Sequence, residues 1–416
     1  MKRVLIVCDT FPPAFGPRMG FLCKYLPEYG WEAVVVSERT ADEYRAPFAT
    51  DYVETHWIDF YPHEKQWLRT LRWVFTFTAD VLTGYKDRKM YRRVAEVCDR
   101  QHFDAVLCST FRSFPLAAAA RIAERYDLPL LADLRDIMEQ CPQSKGEYTQ
   151  HALRCPPVLR QSLLAAFRRM HLVRRNKALR KAQAVTSVSQ WHVDILSRYN
   201  PRTELIYNGY DPELFYPQAV ASEPFLITYT GRVLSGEVSD PSLLMEALRA
   251  LTKEGFLRPE GCRVQWFIDE GSRGVVEQAA AKEGVEEYMD IHGFVPAIEV
   301  PRILNGSSVL LVLTNESSRS GTKGIMTTKF FEYLAVGKPI LCVRSDEGCL
   351  SCALEEAGAG VSAKTVEEVC GFLKEQYRVW KTEGRTSVRV AEGILQRYSR
   401  KTQAGQFAEL LEGISL

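Results

Sequence analysis

The sequence predicts an α/β protein of two Rossmann-like, doubly wound domains facing a cleft, and three observations carry that expectation. The chain opens on an apolar, β-branched run, Val4–Val7, followed by the loop FPPAFGPRMG, a helical stretch over 21–29 and a second apolar run at 33–36. Unbroken apolar strands alternating with helical stretches mark a parallel sheet covered on both faces. The same alternation restarts at Phe225, after a segment carrying Pro212, Pro217 and Pro224 that reads as a linker. A length of 416 residues leaves room for two or three domains at roughly 100–200 residues each.

Taken in order, the first domain (1–208) is expected to place strands at 4–7, 33–36, 105–108, 128–132, 184–187 and 204–207, with an Ala-rich helix over 113–126. The second (209–395) places strands at 225–230, 264–268, 290–292, 309–313 and 339–343. Its helices fall at 240–254, 299–305, 329–336 and 365–381. A last helical segment within 396–416 is expected to pack back on the first domain. Open α/β sheets bind ligands at the carboxyl ends of their strands, so two such sheets direct the search for a site to those ends.

Composition narrows the function classes. Apolar residues make up 46% and charged residues 25% of the chain, an ordinary globular balance. A formal net charge of +1 gives no electrostatic signature of a nucleic-acid partner. Eleven dispersed cysteines suit buried thiols in a reducing compartment better than a disulfide framework. Asp9 stops the first apolar run too early for a secretory signal, and no run approaches the ~20 apolar residues of a spanning helix. The expected location is cytoplasmic, either free or peripheral at the inner face of a membrane.

The most informative segment is GTKGIMTTKFFEYLAVGKPILCV (321–343). A Gly/Thr-rich loop opens a helix there, so backbone N–H groups at Gly324, Thr327 and Thr328 can face an anion at the positive helix end. Lys329 adds a mobile charge beside them. Glu332, one turn on, can accept two hydrogen bonds from a ribose diol. Phosphate donors and a diol acceptor about one turn apart suit a nucleoside diphosphate. The competing reading is a solvated amphipathic helix capped by Thr.

KFFEYLAVGKPIL resembles the donor-binding helix of glycosyltransferase family 4. The resemblance continues in IYNGYDPELF (206–215), AQAVTSVSQWHVDIL (182–196), TYTGRVLSGEVSDPSLLMEAL (228–248) and HGFVPAIEVPRIL (292–304). DLRD (133–136) resembles an Asp-Leu-Arg-Asp element in one branch of that family. The resemblance implies the GT-B fold and a retaining transferase that uses a nucleotide-diphosphate sugar, of UDP or GDP type, as substrate with no further cofactor and no metal. It implies that Glu332 holds the ribose, that Arg232 approaches the diphosphate, and that Thr327, Thr328 and Lys329 contact phosphate. Phe294 and Val295 would lie near the base, and Gly16 would let the first loop approach the diphosphate or sugar. Two positions depart from the family pattern. Gly324 stands where many members have the first Glu of Glu-x7-Glu, and Glu237 stands where many have a Lys five residues after the Arg.

Asp133 and Asp136 are the candidate catalytic residues, expected just past a strand end and pointing into the cleft, with local helix capping as the alternative. The stretch 151–181 holds nine Lys/Arg and no acidic residue. It has an apolar face of Leu159, Leu163, Phe167 and Met170, flanked by Arg160, Arg168, His171 and Arg175. A second such stretch contains Lys65, Trp67, Arg69, Leu71, Arg72, Val74 and Phe75. Both suit an anionic membrane surface, or a solvated helix on its own core. The expected partners are therefore a nucleotide-sugar donor, a glycan or lipid-linked acceptor of surface polysaccharide synthesis, and a membrane surface. A non-catalytic glycosyltransferase-like scaffold and a sugar-nucleotide epimerase of the same architecture are the alternatives. CLSC (349–352) has no second Cys or His pair nearby and reads as structural.

Overall fold

The computed structural model describes residues 1–39, 52–61, 66–111, 113–140, 157–233, 239–314, 323–344 and 348–415. Two compact units emerge, Met1–Tyr207 with Arg400–Leu416, and Asn208–Ser399.

The first unit is built on seven parallel strands: β1 (Lys2–Cys8), β2 (Trp31–Glu38), β3 (Glu54–Ile58), β4 (Ala105–Thr110), β5 (Leu130–Leu134), β6 (Ala184–Ser187) and β7 (Thr203–Leu205). Their order across the sheet is β3-β2-β1-β4-β5-β6-β7. Leu5 and Val7 of β1 join one buried cluster while Val4, Ile6 and Cys8 join another. Both faces of the strand are thus covered, which is why it reads as an unbroken apolar run. The helix Arg400–Ile414 belongs to this unit, and its Ala404, Phe407 and Leu411 share a cluster with Leu22 and Tyr25 of the helix Pro17–Tyr25.

The second unit holds six parallel strands: β8 (Phe225–Thr230), β9 (Cys262–Phe267), β10 (Met289–His292), β11 (Val309–Leu313), β12 (Ile340–Val343) and β13 (Gly360–Ala363), ordered β10-β9-β8-β11-β12-β13. The winding direction reverses between β1 and β4 in the first sheet and between β8 and β11 in the second. Loops leaving the carboxyl ends of these strands are where such sheets take ligands.

Three strand expectations change. The edge strands β3 (ETHWI) and β13 (GVSA) are too polar and short to stand out as apolar runs. β5 runs over Leu130–Leu134 and not 128–132. Pro129 has no N–H to give a sheet, although its carbonyl accepts from Val106 N at 2.9 Å, so the strand begins after it. At the other end, Leu134 still pairs with Thr110 and Ser187. The shift puts Asp133 inside the sheet.

Candidate functional site

In the second unit the loop after β8 carries Gly231 and Arg232. Gly231 has φ +104, a left-handed conformation that glycine takes freely. A Cβ there would lie 3.0 Å from Lys329 Cε and 3.1 Å from Nζ, so the missing side chain makes room for the lysine. Lys329 Nζ also sits 5.1 Å above the Tyr229 ring. The Tyr229 hydroxyl donates to the carbonyl of Arg232 at 2.6 Å, which fixes the loop backbone. Burial pulls the Lys329 pKa below the ordinary lysine value, with Glu332 acting in the opposite sense. A half-buried cation held next to backbone is an attractive seat for an anion.

The helix Thr328–Val336 is anchored by buried Phe330, Phe331, Tyr333 and Leu334, and the Tyr333 hydroxyl lies 3.3 Å from Thr230 Oγ1 at the end of β8. Thr327 stands at its N-cap with extended backbone, yet its side chain accepts no cap hydrogen bond. Asp269 and Thr365, by contrast, cap the helices Glu270–Glu283 and Val366–Glu383. The leading N–H groups of Thr328–Val336 therefore lack the side-chain cap that an anion would replace. Lys329 and Glu332, three residues apart, share one side of this helix, and Thr328, Lys329 and Glu332 are all half-buried. Just before it, Gly324 has φ +69, where the Glu of the family pattern would be strained.

Arg232 is 70% exposed, and its Nε lies 3.3 Å from Asp269 Oδ2. Asp269 also accepts from Ser272 N at 3.1 Å, and Ser272 Oγ accepts from Val233 N at 2.9 Å. This link between the loops after β8 and β9 was invisible as a motif; the pattern Asp-x-x-Ser at a helix start was its only sequence signal. After β10, Phe294 is 55% exposed and Val295 half-buried, while His292 stacks on Phe267 with ring centroids 4.7 Å apart. Glu237 lies outside the described residues.

In the first unit Asp133 lies within β5 and not past its end. Asp133 is fully buried. Its carboxylate accepts from Arg18 Nε at 3.1 Å and Nη2 at 2.9 Å, from Ser109 Oγ at 2.9 Å and from Thr186 Oγ1 at 2.9 Å. Arg18 in turn donates to the carbonyls of Ile206 and Tyr207 at 2.9 and 2.7 Å. Ser109 and Thr186 are the strand neighbours of Asp133 in β4 and β6. The residue thus ties three strands together and does not point into open space, because the strand continues one residue beyond it.

Asp136 is half-buried beyond the end of β5. Burial raises its pKa to about 6, against the lowering effects of Arg135 and a hydrogen bond from Gln140. Arg135 is paired with Asp9, and its Nη1 donates to Thr10 Oγ1 at 3.0 Å. Asp9, which also accepts from Phe111 N at 3.1 Å, was not singled out in the sequence although it ends β1's apolar run. A folded-state pKa above the unfolded value means that the ionised carboxyl opposes folding. That penalty is absent below about pH 4, grows towards pH 6 and is complete above it. Asp136→Asn is therefore expected to stabilise the first unit by about 1–2 kcal/mol at pH 8 and by almost nothing near pH 4, read from denaturation midpoints at both. Equal effects at the two pH values would contradict this account.

Gly16 precedes the helix Pro17–Tyr25. A Cβ on it would lie 2.8 Å from the Thr10 carbonyl oxygen, so the close approach that requires a glycine here is to its own loop.

The basic stretch is also corrected. In the helix Pro157–Leu179, Arg175 is buried and forms a two-bond pair with Glu139, both at 2.7 Å, and His171 is buried 2.5 Å from Ser113 Oγ. Those two face inward. Residues 151–156 and Lys65 lie outside the described residues, as do the side chains of Leu159, Arg160, Leu163, Trp67, Arg69 and Val74. No described helix is long and apolar enough to cross a membrane.

Residues 16–209 match a family described as a glycosyl transferase 4-like domain. No curated protein matches the chain by sequence. Solved structures match over its length. Sucrose-phosphate synthase from Thermosynechococcus elongatus is 12% identical with a TM-score of 0.67, covering 99% of both chains. Anabaena HepE in complex with UDP and glucose is 16% identical with a TM-score of 0.64, covering 99% of this chain and 100% of that one. UDP-GlcNAc 2-epimerase from Methanocaldococcus jannaschii is 9% identical with a TM-score of 0.56, covering 99% of both. With the two parallel sheets, these likenesses give the chain its fold class, the two-domain α/β architecture of GT-B proteins.

Proposed function

We propose that this protein is a retaining glycosyltransferase that moves a sugar from a nucleotide-diphosphate donor to a glycan or lipid-linked acceptor of surface polysaccharide synthesis. The observation that carries the reading is the grouping at the carboxyl end of β8: Lys329 seated against Gly231, Arg232 beside it, and Glu332 one turn along an uncapped helix. Two cations and a helix N-terminus stabilise the charge that grows on a departing diphosphate, with no metal required by the residues themselves. Glu332 accepts the two ribose hydroxyls, Thr327 and Thr328 border the phosphates, and Phe294 with Val295 flank the base. The glycosyl transferase 4-like match over 16–209 supports a transferase, and the HepE complex makes UDP the first nucleotide to test, ahead of GDP. The retaining outcome rests on the family resemblance of the Lys329–Glu332 helix.

Asp133 acts by positioning β4, β5 and β6. Asp136, with surface access and a pKa of about 6, suits a hydrogen bond to an acceptor hydroxyl. Incubation with UDP-sugars should release UDP only when acceptor lipids or glycans are added. Sugar isomerisation without acceptor would instead select the epimerase reading, and nucleotide binding with no turnover under any acceptor the scaffold reading.

The acceptor's lipid character rests on the helices Gln66–Thr83 and Pro157–Leu179. Together they contain a single acidic residue, Asp80, whose carboxylate lies 4.0 Å from Arg174. They meet through Phe77 and Phe167, stacked 5.5 Å apart, and leave Leu71, Trp73, Phe75 and Val173 exposed with Arg169 and Lys177. Exposed apolar side chains among exposed cations suit an anionic bilayer surface. The protein is expected to co-sediment with vesicles containing phosphatidylglycerol and not with phosphatidylcholine alone. Leu71→Glu with Arg169→Glu should weaken that binding at least ~10-fold, since each lost charge contributes ~1 kcal/mol. Equal sedimentation of the double variant would remove these helices from the contact.

A further inference from the structure

The motif Cys349-Leu350-Ser351-Cys352 takes no part in the site described above. It forms the start of the helix Cys349–Ala357, which follows β12. Cys352 N donates to the carbonyl of Gly348 at 3.0 Å, so the two cysteines occupy the opening turn. Cys352 is the exposed cysteine among the described residues, and Cys349 is half-buried. Cys98 is also half-buried but stands alone, with no second cysteine beside it in sequence. Cys8, Cys23, Cys108, Cys262, Cys342 and Cys370 are buried, and burial pushes the thiols of Cys8 and Cys262 up to about 12. Such groups remain protonated and inert.

Residues three apart on a helix carry Cβ atoms ~5–6 Å apart. A disulfide needs ~3.5–4.5 Å, so closure requires a contraction of roughly 1–2 Å. The opening turn is where a helix most often tightens in this way, by a shift to the closer 3-10 geometry. A bridge closed under contraction is more readily reduced than a relaxed one.

We propose that Cys349 and Cys352 are a reversible thiol–disulfide site, closed by exchange with a low-molecular-weight disulfide such as oxidised glutathione. The thiolate of one cysteine attacks a sulfur of that disulfide, forming a mixed disulfide and expelling one thiolate. The thiolate of the second cysteine then attacks the protein-side sulfur, closing the Cys349–Cys352 bond and expelling the other. The protein gives up two protons and two electrons, and the external disulfide becomes two thiols. The site rests on the placement of the two cysteines in one helix turn and is independent of the proposed transferase activity.

The test equilibrates the full chain with oxidised glutathione, blocks remaining thiols with N-ethylmaleimide and maps the peptides by mass spectrometry. Wild type is expected to yield a peptide with both cysteines unblocked and two hydrogens lighter, restored by dithiothreitol. Cys349→Ser is expected to stop at a glutathione adduct on Cys352. Hydrogen exchange of the amides at 350–353 should change on oxidation in wild type and not in Cys349→Ser. A persistent glutathione adduct on Cys352 in wild type, a bridge from either residue to another cysteine, or full blocking of both thiols would each overturn the proposal.

Discussion

Asp133→Asn is expected to destabilise the first unit by about 3–5 kcal/mol, the cost of leaving one member of a buried ion pair uncompensated. Arg18 and Asp133 are both buried, and the carboxylate accepts from four donor groups on three residues, Arg18, Ser109 and Thr186. Asn keeps the shape but removes the charge, so Arg18 loses its buried counter-ion while keeping the carbonyls of Ile206 and Tyr207 and its cation–π contact with Phe407 at 5.1 Å. Phe407 lies on the helix Arg400–Ile414, so the loss should spread to that helix as well as to β4, β5 and β6. Hydrogen exchange of those elements, together with urea unfolding, measures the effect. The double variant Arg18→Met, Asp133→Leu separates charge from space. Because a buried pair replaced by apolar groups of similar volume is often neutral, it should recover much of the stability lost in Asp133→Asn. A variant that is catalytically dead but as stable as wild type would return Asp133 to the chemistry.

The same residue shows where the sequence stops being legible. Apolar runs reveal strands such as β8 and β11 because those strands are buried on both faces. Asp133 breaks the run of β5, so the apolar signal ends before the strand does. Its burial becomes visible only with Arg18, 115 residues away, and the strand neighbours Ser109 and Thr186. Long-range pairing of polar groups leaves no periodic trace. Arg175 is a similar case, since a basic residue in a basic stretch gives no hint that Glu139 neutralises it. The grouping of Lys329 and Glu332 was legible because both lie on one helix turn, where spacing alone sets proximity. Gly231 and Asp269 were not, because they reach that region from the ends of other strands.

Glu332→Gln carries the second large effect. If its carboxylate accepts both ribose hydroxyls, the amide keeps one acceptor oxygen, loses the charge and presents an NH2 group to a hydroxyl. Hydrogen bonds to a charged group contribute ~1.5–3 kcal/mol, which corresponds to an affinity for UDP about 10–100-fold weaker. Glu332 is half-buried and outside the packed face formed by Phe330, Phe331 and Tyr333, so the fold should be retained, with an unchanged thermal midpoint as the control. Lys329→Met tests the neighbouring element. If the lysine faces the diphosphate and not the ribose, the substitution should weaken UDP more than uridine, whereas Glu332→Gln should weaken both alike.

Calorimetric titration of UDP into wild type and Glu332→Gln is the most direct test of the central claim. The account predicts saturable binding at one site in wild type and a 10–100-fold weaker affinity in the variant. Equal affinity in the two proteins, or no binding of UDP or GDP by wild type, would contradict the assignment of the Lys329–Glu332 helix as a nucleotide site.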